Sequence, residues 1–245
     1  MGFVDAVETL TGKTALVYQK STEAQPRASP HKLPLMLPIA NRNNDRVYAY
    51  LRGRGIGKDI INRCIADGLL YESAHTHRCV FVGKDGDIPK FACERGTRDN
   101  WKKDVTGSDK RFDFHLPPQS AERSELAVFE GVTDVLSHVE VCRLTESQWD
   151  GHRLALGGTS SLALISFLER NPQIAGVILC LDNDEAGRKA THRIVDELAN
   201  DKRFSHLRIA VKSAPTGKDY GDTLTSMQKQ NELTPIRHHQ ADFLR

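Results

Sequence analysis

No stretch of this sequence is long and apolar enough to span a bilayer. The strongest apolar run, residues 176–181, falls far short of the roughly 20 residues that a spanning helix needs. The start also lacks the basic opening, apolar core and small-residue cleavage site of a secretory signal. These absences argue against a membrane role and lead to the expectation of a cytoplasmic chain. Cysteine is sparse. The five, Cys64, Cys79, Cys93, Cys142 and Cys180, are scattered and odd in number, and no two form a C-x-x-C zinc or redox pair. A disulfide framework is therefore not expected, in keeping with a reducing compartment. Cys180, inside an apolar run, is expected as a small buried hydrophobe. Net charge is low too, and at +2 over 245 residues it does not mark a polyanion binder. Its distribution is uneven, with 15 Lys/Arg against 11 Asp/Glu over residues 41–115 and 13 against 16 over residues 116–230. A basic first half beside an acidic second half fits nucleic-acid backbone contacts next to a metal site, and fits ordinary solvated surfaces equally well.

What is present suffices for a core. Hydrophobic residues make up 39% and charged residues 27%, and the length suits one large domain or two small ones. Residues 3–10 carry Phe3, Val4, Val7 and Leu10 at helical spacing, with Gly12 placed to stop the helix. Residues 20–40, with Pro26, Pro30, Pro34 and Pro38, read as a linker. Residues 41–118 read as a small α+β domain. It holds a helical region at 43–68, broken by the turn Gly53-Arg54-Gly55-Ile56-Gly57, then an antiparallel pair at 79–82 and 88–92 joined through Asp85-Gly86. From residue 122 to about 230 strands alternate with helices. Strands are expected at 126–129, 154–156, 177–181 and 207–211, and helices begin near Val132, Leu162 and Ala186. This alternation predicts an α/β fold, a mainly parallel sheet covered by helices on both faces. Residues 231–245 read as a polar tail.

In such sheets the functional groups gather just beyond the carboxyl ends of the strands. Glu130 follows one expected strand directly, and Asp182 and Asp184 follow another. Carboxylates converging there would repel unless a cation neutralised them, and magnesium is satisfied by two or three hard oxygen ligands plus water. Taken alone, each acid is as readily a turn residue or helix cap. Asp134, one helical turn past Glu130, is placed to support it, with a solvated surface role as the plainer reading.

The run Val128-Phe129-Glu130-Gly131-Val132-Thr133-Asp134-Val135 resembles the first motif of Toprim domains, which are shared by bacterial primases, topoisomerases and some nucleases. Leu156-Gly157-Gly158-Thr159-Ser160-Ser161-Leu162 is similar to the Gly-Thr turn of DnaG-type primases, and Leu181-Asp182-Asn183-Asp184-Glu185-Ala186-Gly187-Arg188-Lys189-Ala190 to their Asp-x-Asp motif. Ala214-Pro215-Thr216-Gly217-Lys218-Asp219 resembles their Pro-x-Gly-Lys-Asp segment. The resemblance implies a Rossmann-like Toprim domain over residues 122–230. In it Asp182 and Asp184 would hold Mg²⁺ or Mn²⁺, and Glu130 would be a general acid/base or a ligand of a second metal. Lys218 would contact phosphate, and Asp219 would be an outer ligand or a helix cap. Tyr50-Leu51-Arg52-Gly53-Arg54-Gly55-Ile56 and Gly107-Ser108-Asp109-Lys110 resemble a domain of uncharacterised function that precedes Toprim in proteins of plasmids and integrative elements. Residues 3–10, within a segment 1–19, resemble the last helix of a primase zinc finger. The finger's ligands are absent, so no zinc is expected, and the resemblance leaves room for an upstream portion in homologues.

Other signals were weighed. Leu10-Thr11-Gly12-Lys13-Thr14 ends like a P-loop, but Val7 stands where its first glycine is required. His75, His77 and Cys79 are three donors without a fourth. Arg52, Arg54 and Lys58 around three glycines are candidate phosphate contacts, with solvated charges as the plainer reading. Trp101 beside Lys102 and Lys103 is read as a packing residue before a base-stacking one. The expected function is a primase-like nucleotidyl transfer on DNA, single-stranded DNA above all, in replication or transfer of a mobile element. Nucleotides and replication or conjugation proteins are its expected partners. A Toprim nuclease and a non-catalytic DNA-binding accessory protein remain the alternatives. Topoisomerase activity is disfavoured because that family uses a separate domain for its tyrosine nucleophile.

Overall fold

The computed structural model describes residues 33–120 and 123–233. The helix expected over residues 3–10 lies outside them, as do most of the expected linker and most of the tail. The described chain begins as an extended segment and enters α1 (Asp45–Gly53) and α2 (Lys58–Ala66). The turn between these helices needs its glycines. Gly55 has φ +85°, a left-handed conformation that only glycine adopts without strain. Val47, Leu51, Ile56, Ile61 and Cys64 face inward from this helical pair.

An antiparallel sheet follows, of β1 (Leu70–Glu72), β2 (Cys79–Asp85), β3 (Ile88–Arg95) and β4 (Lys102–Asp104), in spatial order β1-β2-β3-β4. The expected hairpin is present, with Gly86 at φ +57° in its turn. The register slips at Gly83, where the backbone of Phe112 crosses so closely that an added Cβ would lie 1.7 Å from its carbonyl oxygen. The strands β1 and β4 were not expected. Three residues are too few to display a two-residue period.

The second sheet is built from β5 (His115–Leu116), β6 (Glu125–Phe129), β7 (His152–Ala155), β8 (Gly176–Leu179) and β9 (Arg208–Val211), in order β5-β7-β6-β8-β9. Four strands run parallel, and the short β5 pairs antiparallel at the edge. Connecting helices are α3 (Val132–Leu144), α4 (Leu162–Arg170) and α5 (Glu185–Asn200), and α6 (Tyr220–Leu233) ends the described chain. Alternation along β6 explains the layering. Leu126 and Val128 pack with Ala163, Leu164, Ile194 and Leu198 of α4 and α5 on one face. Ala127 and Phe129 pack with Val135, Leu136, Tyr220 and Leu224 of α3 and α6 on the other. The same apolar cluster continues into Leu51, Ile56, Phe81, Phe91 and Phe114 of the smaller domain.

Asp113 sits at the seam between the two sheets, 5% exposed, its Oδ1 accepting a 2.6 Å bond from the amide of Phe114. Burial, above all, pushes its pKa up from 3.8 to about 7. The neutral carboxyl is therefore the form the fold favours. That contribution is full below the ordinary carboxylate range and is lost as pH rises to about 7. Asp113→Asn should accordingly raise the melting temperature at pH 8, with the gain shrinking as pH falls to 5. Thermal melts of both proteins across that range check it.

Candidate metal centre

The strand order creates one crevice. Strands β6 and β8 are neighbours, yet the chain leaves β6 through α3 toward β7 and leaves β8 through α5 toward β9. Side chains at the carboxyl ends of this pair face a gap that no connection crosses, the usual place for a ligand in open parallel sheets. Glu130 lies one residue past β6, and Asp182 and Asp184 lie just past β8. The two strand ends touch, since the backbone N–H of Asp182 donates to Glu130 Oε1 at 3.3 Å. Gly187 makes this approach possible, because a Cβ there would stand 2.2 Å from the Asp182 carbonyl oxygen and 2.7 Å from Glu130 Oε1.

Asp184 caps α5, its Oδ1 accepting from the Gly187 amide at 2.9 Å. Its second oxygen and Asp182 Oδ2 converge on one cation: Lys218 Nζ lies 3.0 Å from Asp184 and 3.1 Å from Asp182. Asn183 fixes the loop that delivers this lysine. Its amide N–H donates to the Lys218 carbonyl at 2.7 Å, and its side chain donates to the carbonyls of Gly217 and Ala214. Asp219 turns to the backbone, capping α6 by accepting from the Asp222 amide at 2.8 Å. Of the residues expected at the site, Asp182, Asp184 and Lys218 thus meet through their side chains and Glu130 reaches the Asp182 amide, while Asp219 caps α6.

Electrostatics reflect the crowding of acids. Glu130 is shifted up by burial and then by the charges of Asp182 and Asp184. Asp182 is shifted up by burial, which outweighs its lysine partner. Exposed Asp184 is shifted down by the Gly187 amide and by Lys218. Lys218 is held well above its usual range by the two aspartates. Asp134 is a correction to the surface reading made for it. It is only 8% exposed, because the start of α3 packs under the loops around Asp182 and Asp219, and burial with those two charges lifts its pKa to about 7.

Among the described residues no three His, Cys, Asp or Glu side chains are grouped as they would be around a metal ion. The donor set nevertheless fits a hard divalent cation. Two carboxylates already close on one positive atom, a third abuts the loop that carries them, and all are oxygen donors of the kind magnesium and manganese prefer.

The candidates on the smaller domain separate. Arg52 and Lys58 line a surface depression with Asp45 and Tyr48. Arg54 instead lines a different one, with Arg95, Arg98, Tyr50 and Trp101, and the charges of Arg95 and Arg54 both act on Asp134. Trp101 is 41% exposed and stacks under the Arg78 guanidinium at 4.1 Å, so it is a surface residue and not a packing one. It immediately precedes β4. His77 pairs with buried Glu72, and Cys79 is enclosed in β2, so the His75/His77/Cys79 trio does not converge. Arg95 was missed by the sequence reading, because it stands in no motif and its approach to Asp134 depends on how the two sheets dock.

Comparisons with known proteins agree with this architecture. Residues 127–224 match the family model described as Toprim-like, and residues 49–120 match the one described as Protein of unknown function (DUF3991). No curated protein matches the chain. Among solved structures, the primase fragment of the bacteriophage T7 primase-helicase protein superposes with a TM-score of 0.53 at 19% identity, covering 90% of this chain and 86% of that one. The zinc-binding and RNA polymerase domains of the Aquifex aeolicus primase give a TM-score of 0.49 at 15% identity, covering 78% and 55%. The T7 likeness is one of fold. The carboxylate crevice of the larger sheet therefore lies within the Toprim-like match, and the smaller sheet before it within the DUF3991 match.

Proposed function

We propose that this chain is a divalent-metal-dependent nucleic-acid enzyme that carries out primase-like nucleotidyl transfer on single-stranded DNA, in replication or transfer of a mobile element. The observation that carries this reading is the meeting of Glu130, Asp182, Asp184 and Lys218 at the crevice of a Toprim-like domain. Asp182 and Asp184 would hold Mg²⁺ or Mn²⁺, with Glu130 as a further ligand or as the group that moves a proton. When bound, such a cation supplies charge stabilisation to a transferring phosphoryl group. The chain's own residues do the rest. Lys218, released from its carboxylate partners, is positioned to bind a phosphate oxygen. Glu130, with its pKa raised by burial and by its acidic neighbours, is better suited to exchanging a proton than an ordinary exposed carboxylate.

The test is to incubate the protein with single-stranded DNA, nucleotides and Mg²⁺ or Mn²⁺. Primer synthesis supports the proposal. Cleavage of the strand points to a nuclease at the same centre, and metal-independent binding without product points to an accessory protein. Lys218→Gln gives a sharper outcome. Without the competing ammonium, Mn²⁺ should bind at least as tightly as in the parent protein, while turnover should fall by about a hundredfold through loss of a phosphate contact. Isothermal titration and the turnover assay together check both halves.

A further inference from the structure

The smaller domain contributes charges of its own beside the carboxylate crevice. A depression of about 410 Å³ opens between the start of the β3–β4 loop and α1, lined by Tyr50, Arg54, Arg95, Arg98, Asp99 and Trp101 among others. Three of these are arginines and one is an acid. The acid is occupied with its own loop, as Asp99 Oδ1 accepts from the Trp101 amide at 3.1 Å. None of the three arginines is ion-paired among the described residues. Arg95 Nε is buried and lacks a hydrogen-bond partner, an expensive condition for a charged group. The Arg95 guanidinium also reaches the crevice, since its Nη2 lies 3.9 Å from where a Cβ on Gly131, next to Glu130, would stand.

We infer that this depression is an anion-binding pocket that takes the phosphate of a nucleotide, with the base stacked beside it on Trp101. Guanidinium forks match phosphate oxygens and form charge-assisted hydrogen bonds to them. An anion in the depression would meet three guanidinium groups at once. The aromatic component is present as well. Arg78 covers one face of the Trp101 ring at 4.1 Å, and the 41% exposure of that residue leaves surface for a base to stack. The Gly-rich turn keeps Arg54 in place, because the Gly57 amide donates to buried Glu140 of α3 and the Gly55 carbonyl accepts from Gln228 of α6 at 3.1 Å. The pocket thereby gives the DUF3991 domain a role, supplying positive charge where the Toprim-like domain supplies negative. It deepens the function proposed above and rests on that reading for the use of the bound phosphate, though not for the binding itself.

The full chain is titrated in EDTA with tripolyphosphate, ATP and a ten-residue oligothymidylate. Wild-type protein should bind tripolyphosphate and at least one of the other two probes. Arg95→Gln and Arg98→Gln should each weaken that binding by about tenfold or more. Trp101→Leu should weaken only the probes that carry a base. Arg98 is exposed on a loop, so its variant remains informative if Arg95→Gln fails to fold, as a melting curve will reveal. A preference for ATP identifies a free nucleotide as the source, and a preference for the oligonucleotide identifies a strand. The pocket assignment is overturned if wild type binds no probe, or if both arginine variants bind as tightly as wild type. Mn²⁺ titration of the same proteins separates the two ideas. Absent Mn²⁺ binding with intact, arginine-dependent phosphate binding would sink the metal reading and leave the pocket standing.

Discussion

Replacing Asp182 with Asn should reduce product formation by at least about a hundredfold and abolish tight Mn²⁺ binding, with the melting temperature unchanged or raised. The two halves of this expectation have different origins. Activity is expected to fall because Asp182 would be one of the two carboxylates that hold the metal, the pair that closes on the Lys218 ammonium in this structure. Stability does not fall because the ion pair being lost is worth little. Lys218 is half exposed, and pairs of that kind contribute at most about 1 kcal/mol. Against this stands the relief of a partly buried charge surrounded by other acids, the environment that shifts Asp182 upward. Glu130→Gln should behave alike in activity and keep its contact, because a glutamine oxygen can still accept from the Asp182 amide. Turnover assays beside thermal melts separate a chemical role from a structural one. Full activity in both variants would remove the centre from consideration.

The second large effect concerns Gly187. Within an exposed helix, glycine to alanine ordinarily adds up to about 1 kcal/mol of stability. At residue 187 the added methyl would lie 2.2 Å from the backbone oxygen of Asp182, which cannot swing aside as a side chain would. Helix α5 must back away from the crevice, taking Asp184 at its cap and prising Glu130 from the Asp182 amide. Overpacking of this kind costs about 1–3 kcal/mol, and for a chain of this size that lowers the melting temperature by several degrees. Gly187→Ala should therefore lose both stability and activity. Gly53→Ala is the matched control, since nothing lies within 4 Å of a Cβ there. It should leave stability the same or slightly higher. Equal behaviour of the two variants in melts would show that the close approach of α5 to the acid loop is not what Gly187 provides.

Much of the Toprim-like half could be read from the chain alone, because β6 and β8 are built on apolar runs and helical segments follow the strands. The acids of the site were legible for the same reason: they stand directly after strands, where topology forces a meeting. The partners of those acids were harder to see. Asp134 could be placed one turn past Glu130 from the sequence, but its burial could not, since it comes from the docking of α3 beneath two loops. Arg95 ends the interior strand β3 with no motif around it, and its approach to Gly131 depends on contacts between residues far apart in sequence. Asn183 was the unremarked middle of Asp-x-Asp, yet it ties the lysine loop to the acid loop. Short strands such as β5 escaped because two residues carry no pattern.

The unbroken apolar cluster linking α1, the first sheet, α3 and α6 couples the two halves mechanically. Ile56, Phe81 and Phe114 share it with Phe129 and Leu136, so a disturbance of the packing in one half is transmitted to the other.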